Sequence, residues 1–169
     1  GTDQLGAQIV WRAVIIPNSD GSYTVRNTSL NDKDRYRKQG GFELFNRKAL
    51  DNGGDIFITE GEFDALSLET LGYTAVSIGG SGNVRALLEI LRQYGPSQDR
   101  TLYICLDNDK PGQEAARDLA VGLYRLQMPY KRVNLAFPYK DVNEAIVKDR
   151  EELLRRLKSL DSLLAYNLI

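Results

Sequence analysis

The stretch Asp55-Ile56-Phe57-Ile58-Thr59-Glu60-Gly61-Glu62-Phe63-Asp64-Ala65-Leu66-Ser67-Leu68-Glu69-Thr70-Leu71 decides the fold. Its first residues are β-prone and apolar and end abruptly in an acid and a glycine. The period then changes, with Phe63, Leu66 and the Leu68/Leu71 pair recurring at helical spacing. A strand running directly into a helix is half of a βαβ unit, and the pattern repeats downstream. Strands are predicted over residues 56–59, 74–78, 101–106 and 132–136, and helices over residues 62–71, 84–94 and 113–126. The expected fold class is α/β, an open, mainly parallel four-stranded sheet whose right-handed crossovers place helices on both faces.

Upstream, residues 9–17 and 22–27 read as two strands around Asn18-Ser19-Asp20-Gly21, a run of turn formers. Residues 30–41 are polar and basic, residues 42–50 look like a short element, and Asp51-Asn52-Gly53-Gly54 is a turn. This predicts a small β-containing subdomain over residues 1–53, the α/β domain over 54–150, and a helix over 151–169. In that helix Leu153, Leu157, Leu160 and Leu164 form an apolar stripe that packs on the rest.

The 169 residues contain no histidine and a single cysteine, Cys105, which removes disulfide frameworks, Cys/His zinc sites and any histidine base. Chemistry must run on carboxylates, hydroxyls, lysines, arginines or a bound metal. Cys105 falls inside a predicted strand, where a buried, inert thiol is expected. With 22 Lys and Arg against 23 Asp and Glu the net charge is -1, so attraction to nucleic acid must come from local patches. No apolar run approaches the roughly 20 residues a membrane span needs. Gly1 in place of a methionine, the missing signal-peptide pattern and the apolar thiol point to a fragment of a cytoplasmic protein.

Ligands of open α/β sheets bind beyond the carboxyl ends of the strands, where strand order reverses. There the first strand ends in Glu60, the third in Asp107-Asn108-Asp109-Lys110-Pro111-Gly112, and the fourth leads to Lys140-Asp141-Val142-Asn143-Glu144. With Asp64 one helical turn beyond Glu60, five acids could converge. Gathered carboxylates repel one another, and a hard divalent cation such as Mg²⁺ is the simplest compensation. Taken alone, Asp107 to Gly112 reads first as a turn and helix N-cap, and Gly61 and Gly112 as tight strand-to-helix turn residues that also allow close approach of a ligand. Lys110 either neutralises its acidic neighbours or meets phosphate. The loop Ile78-Gly79-Gly80-Ser81-Gly82-Asn83 reads as a flexible turn first and a substrate-contacting loop second; it matches neither the dinucleotide nor the P-loop fingerprint.

Three segments, Ile58 to Leu66, Leu106 to Gly112 with Ala115-Ala116 behind it, and Lys140 to Glu144, together resemble the signatures of the TOPRIM domain. That domain is shared by topoisomerases, DnaG-type bacterial and phage primases, OLD-family nucleases and RecR-type repair proteins. Within it the resemblance is nearest to primase catalytic cores, loosely supported by Arg35-Tyr36-Arg37-Lys38-Gln39-Gly40 and Glu43-Leu44-Phe45-Asn46 upstream. The resemblance implies Glu60 as catalytic acid/base or metal ligand, Asp107 and Asp109 as catalytic metal ligands, and Asp64 and Asp141 as supporting acids of a Mg²⁺ or Mn²⁺ site. Asn143 stands where bacterial primases commonly carry a second aspartate, which puts a full second metal site in doubt. Primases also carry a zinc-binding domain before the core and a helicase or helicase-binding region after it, and these residues contain neither.

Between Arg26 and Lys48 seven cations face three acids, and Arg35, Tyr36, Arg37 and Lys38 combine phosphate forks with a stacking ring. They are the expected single-stranded DNA contacts, with Lys110, Gly61 and Gly112 as nucleotide contacts. The expected function is metal-dependent RNA primer synthesis from nucleoside triphosphates on single-stranded DNA, with a replicative helicase as partner through regions outside this chain. The rivals are an OLD-type nuclease and a non-catalytic nucleic-acid-binding module. A topoisomerase is disfavoured because no tyrosine sits in a recognisable nucleophile context.

Overall fold

The computed structural model describes residues 12–18, 21–28, 36–97 and 99–166, with side chains described only as far as residue 160. The chain divides into two compact units, Gly1–Glu43 and Leu44–Ile169.

The smaller unit is an antiparallel sheet of β1 (Ala13–Pro17), β2 (Tyr23–Asn27) and β3 (Tyr36–Gln39), in that order. The hairpin of β1 and β2 matches the predicted pair. β3 lies inside the stretch read only as polar and basic: all four of its residues are exposed, so no alternation of apolar and polar residues announces it. Backbone pairing to β2 makes it a strand, through Arg26↔Tyr36, Val25↔Arg37 and Thr24↔Lys38.

In the larger unit a parallel sheet of order β5-β4-β6-β7 is built from β4 (Ile56–Thr59), β5 (Ala75–Ser77), β6 (Leu102–Cys105) and β7 (Tyr130–Arg132). Its helices are α1 (Glu62–Thr70), α2 (Val84–Tyr94), α3 (Lys110–Arg125), α4 (Val142–Lys148) and α5 (Arg150–Tyr166). Every residue of β4, β5 and β6 is buried, as strands covered on both faces require. On one face Phe57 stacks on Tyr103 at 4.8 Å between ring centroids and meets the edge of Tyr73 at 5.6 Å. Ala65 and Leu68 of α1, Val142 of α4, and Leu153 and Leu157 of α5 close over them. Side chains alternate along a strand, so Ile56, Ile58, Leu102 and Ile104 face the other way, where α2 and α3 pack together. Residues 44–51 also belong here: Phe45 bridges to Ser77, and Leu44 and Leu50 are buried.

In the larger unit β7 and α4 depart most from the sequence expectation. The fourth strand is Tyr130–Arg132 rather than residues 132–136. Its ladder to β6 ends at Ile104↔Arg132, and Val133 makes a last backbone bond to Ile104 before the chain turns away. As a sheet edge it carries Lys131 and Arg132, the charges that edges tolerate and an apolar search misses. The apolar run after it supplies Leu135 to the core cluster from outside the ladder. Helix α4 went unpredicted because its seven residues are too few for a period. Its start is a reciprocal cap, with Glu144 N–H donating to Asp141 Oδ1 at 2.7 Å and Glu144 Oε2 accepting from Lys140 N–H at 3.1 Å. In α5, Leu153 and Leu157 are buried and Leu160 packs against the cluster; the side chain of Leu164 lies outside the described residues.

Cys105 is buried in β6, and burial pushes its thiol up to about 12, with the nearby Asp64 carboxylate adding to the shift. Native protein should therefore be silent toward a chromogenic disulfide reagent at mildly alkaline pH and release one equivalent of chromophore after denaturation. Rapid labelling of the native chain would contradict this packing.

Candidate active site

The order β5-β4-β6-β7 reverses direction between β4 and β6, so the switch point lies between the carboxyl ends of those two strands. Glu60 follows β4 and Asp107 follows β6 by two residues, so adjacent parallel strands deliver both acids to one rim.

Glu60 is held by the glycine-rich loop and by the end of β5: Ser81 N–H donates to Glu60 Oε1 at 3.1 Å, and Ser77 Oγ–H of β5 donates to the Glu60 carbonyl at 2.9 Å. Glu60 Oε2 is buried and has no hydrogen-bond partner among the described residues. Desolvation, then the negative charges of Asp107 and Asp109, raise the Glu60 pKa against the Ser81 N–H that lowers it. The three acids thus lie within electrostatic range of one another.

Asp107 is 8% exposed, and burial raises its pKa, opposed chiefly by the Lys140 ammonium. Lys140 Nζ stands 2.8 Å from Asp107 Oδ2 and 3.5 Å from Asp109 Oδ2. The other oxygen of Asp109 caps α3, accepting from Gly112 N–H at 2.9 Å. Pro111 in the first turn suits a helix start, so α3 begins three residues earlier than the sequence reading put it. A Cβ on Gly112 would fall 2.3 Å from the Asp107 carbonyl oxygen, and one on Gly61 would fall 2.8 Å from Asp64 Oδ2. Both glycines therefore have a packing reason: the protein itself fills the space a side chain would take. Lys110 is exposed at the first position of α3.

Asp64 and Asp141 are tied up in helix starts. Asp64, 7% exposed, reaches back to the Gly61 N–H, and its Oδ1 accepts the Asn143 N–H at 2.9 Å, which fastens the start of α1 to the start of α4. Asp141 caps α4. Of the basic set, Tyr36 and Lys38 share one face of β3, with Arg26 of β2 beside Tyr36, while Arg37 projects from the opposite face. Arg35 lies outside the described residues.

Sequence reasoning gave no role to Lys140. The available signal was a lone cation at the end of a connection that terminates among acids. Its backbone is pinned from both sides, by Glu144 Oε2 on its N–H and by Asn108 N–H donating to its carbonyl at 2.6 Å.

For a hard divalent ion the donor chemistry fits: carboxylate oxygens without soft ligands, and one buried carboxylate oxygen lacking a partner. No three acidic side chains among the described residues are gathered tightly enough to hold an ion by themselves.

A family model described as Toprim-like matches residues 57–146, from β4 to α4. The chain belongs to the Toprim-like family. Its four-stranded sheet, with a small antiparallel sheet before it, is also the fold of primase catalytic fragments. The crystal structure of the primase fragment of the bacteriophage T7 primase-helicase protein is similar with TM-score 0.62 at 25% identity, over 86% of this chain and 62% of that one. The structure of the DnaG primase catalytic domain bound to ssDNA is similar with TM-score 0.59 at 17% identity, over 92% of this chain and 57% of that one. The Aquifex aeolicus primase, as zinc-binding and RNA polymerase domains, gives TM-score 0.57 at 22% identity, over 86% and 38%. This Toprim-like chain thus spans less than two thirds of the length of these primase structures. No curated protein matches the chain in sequence. Among the described residues no helix is long and apolar enough to cross a membrane.

Burial is the largest influence on Asp64 and pushes its carboxyl from the usual 3.8 up to about 7. The folded Toprim-like chain therefore keeps a proton there that the unfolded chain releases near its ordinary pKa. The contribution is greatest at low pH and is lost as pH rises through the window between those two values. Urea midpoints at about pH 5 and about pH 8 should fall more steeply in the wild type than in Asp64→Asn, which cannot ionise. Equal slopes would remove Asp64 as the group responsible.

Proposed function

We propose that this chain is the catalytic core of a primase-type nucleotidyltransferase that makes RNA primers on single-stranded DNA with Mg²⁺ or Mn²⁺. The observation that carries the reading is the delivery of Glu60 and the Asp107-Asp109 pair to one rim by neighbouring parallel strands at the switch point. Membership of the Toprim-like family and the likeness to the T7 primase fragment support it.

In this reading Asp107 and Asp109 hold the ion, with Glu60 beside them. When bound, the ion neutralises triphosphate charge and polarises the reacting phosphoryl group. Glu60 is the acid/base: its Oε2 has no partner and its raised pKa favours holding a proton taken from the primer 3′-hydroxyl. Asp64 and Asp141 support the site by fixing where α1 and α4 begin. Lys110 contacts nucleotide phosphate at the start of α3, while Gly61 and Gly112 serve the site only indirectly, by letting Asp64 and the Asp107 carbonyl pack against the backbone. The template runs along the face of β3 that carries Tyr36 and Lys38, where Lys38 and the neighbouring Arg26 meet phosphates and Tyr36 stacks on a base, while Arg37, on the opposite face, lies off this track. The T7 protein joins primase and helicase in one chain, and a replicative helicase is the corresponding partner proposed here.

The test uses an RNA oligonucleotide annealed to single-stranded DNA, so that extension needs no initiation domain. With divalent metal and nucleoside triphosphates the oligonucleotide should lengthen. Asp109→Asn should lower the rate by a factor of about a hundred or more, because the cap on α3 survives in asparagine and only the charge is lost. Cleavage of the DNA without extension would overturn the synthetic reading in favour of a nuclease. Metal-indifferent DNA binding with neither reaction would overturn both.

A further inference from the structure

The mutual repulsion of Asp107 and Asp109 is relieved here by a group of the protein itself. The Lys140 ammonium bridges the two carboxylates at 2.8 and 3.5 Å, and these pairings raise the lysine pKa, so it stays charged. Asp107, at 11% side-chain exposure, could not keep its charge unpaired so cheaply as a surface acid. The lysine is built to stay near and yet to leave. Its main chain is fixed by the Glu144 carboxylate and by the Asn108 N–H, while its side chain is 54% exposed, so solvent rather than core packing borders much of it. Asn108 is the residue between the two acids, so the bond from its N–H to the Lys140 carbonyl ties the lysine to the same loop it neutralises.

We propose that Lys140 is a resident counter-cation: it holds the Asp107-Asp109 pair in the metal-free protein, competes with the incoming divalent ion for those oxygens, and on displacement offers its three N–H donors to the phosphate of the nucleotide. The inference rests on the metal-binding reading of the preceding section. An ammonium 2.8 Å from Asp107 Oδ2 occupies one approach to that oxygen and repels a second cation by its charge, so the two compete at Asp107. Displacement moves the ammonium by the reach of a lysine side chain about a fixed Cα. It therefore remains beside the rim, where a triphosphate would need positive charge.

Mn²⁺ binding to the intact chain, followed by titration calorimetry or by the electron paramagnetic resonance of the free ion, tests this without reference to turnover. Lys140→Met should bind Mn²⁺ about ten-fold tighter than the wild type, the size expected when one charge-assisted hydrogen bond no longer competes. The same variant should melt lower without metal and gain more from it. With Mn²⁺ saturating, its affinity for a nucleoside triphosphate should fall at least several-fold. Lys140→Gln, which keeps a hydrogen-bond donor without the charge, should show the same gain in Mn²⁺ affinity and serves if the methionine variant does not fold. Lys140→Arg should stay near the wild type. A saturable Mn²⁺ site that Asp107→Asn abolishes, but that both uncharged variants leave unchanged or weaken, overturns the inference and leaves the proposed function standing. Absence of a saturable site in the wild type and in the uncharged variants alike overturns the inference, and primer extension that proceeds equally without divalent metal overturns the metal-binding reading beneath it.

Discussion

Carboxylates brought to one rim by parallel strands repel, and the rest of the larger unit is arranged around how that repulsion is relieved. Glu60 leans on the Ser81 N–H, Asp107 and Asp109 share the Lys140 ammonium, and Asp64 is buried against two backbone N–H groups. These solutions differ in kind. A backbone N–H is fixed and neutral and an ammonium carries charge, yet desolvation outweighs both and leaves Glu60, Asp64 and Asp107 with raised pKa values. The ammonium is charged and half-exposed, and it sits where the strand ends bring Asp107 and Asp109 together.

The loops that meet at this rim restrain one another. Asn108 bonds to both Tyr139 and Lys140 of the connection after β7, and Asn134 reaches Asn108 from the start of that connection. Arg156 of α5 holds the carbonyls of Asn134 and Leu135 and lies over the Phe137 ring, so the C-terminal helix buttresses the loop from behind. Gly112 closes the arrangement from the α3 side, since nothing larger fits against the Asp107 carbonyl. The geometry of the acid pair is therefore set by packing on three sides before any ligand arrives.

Much of this was legible in the sequence because the signals were periodic. The switch from the strand of Ile56 to Thr59 to the helix carrying Leu68 is a change of period, and β4, β5 and β6 with α1 and α2 lie where the pattern put them. What stayed hidden had no period to read. The strand β3 is exposed along its whole length, β7 is a charged edge, and α4 is shorter than two full turns of clear pattern. At the site, sequence located the acids at the strand ends but could not say which would face a ligand and which would cap a helix. That distinction depends on which N–H groups the fold brings close, as with Asn143 for Asp64, 79 residues away. Lys140 was invisible for the same reason: its partners are contributed by a different loop.

Asp109 spends one oxygen on the Gly112 N–H and turns the other toward Lys140. Such a carboxylate presents a single atom outward, so it grips a cation at one point and cannot chelate it through both oxygens. Large ions that favour two-oxygen contacts lose their advantage at such a loop, whereas a small octahedral ion content with single-oxygen contacts loses nothing. At the proposed ion site this helix cap would therefore favour ions of small radius.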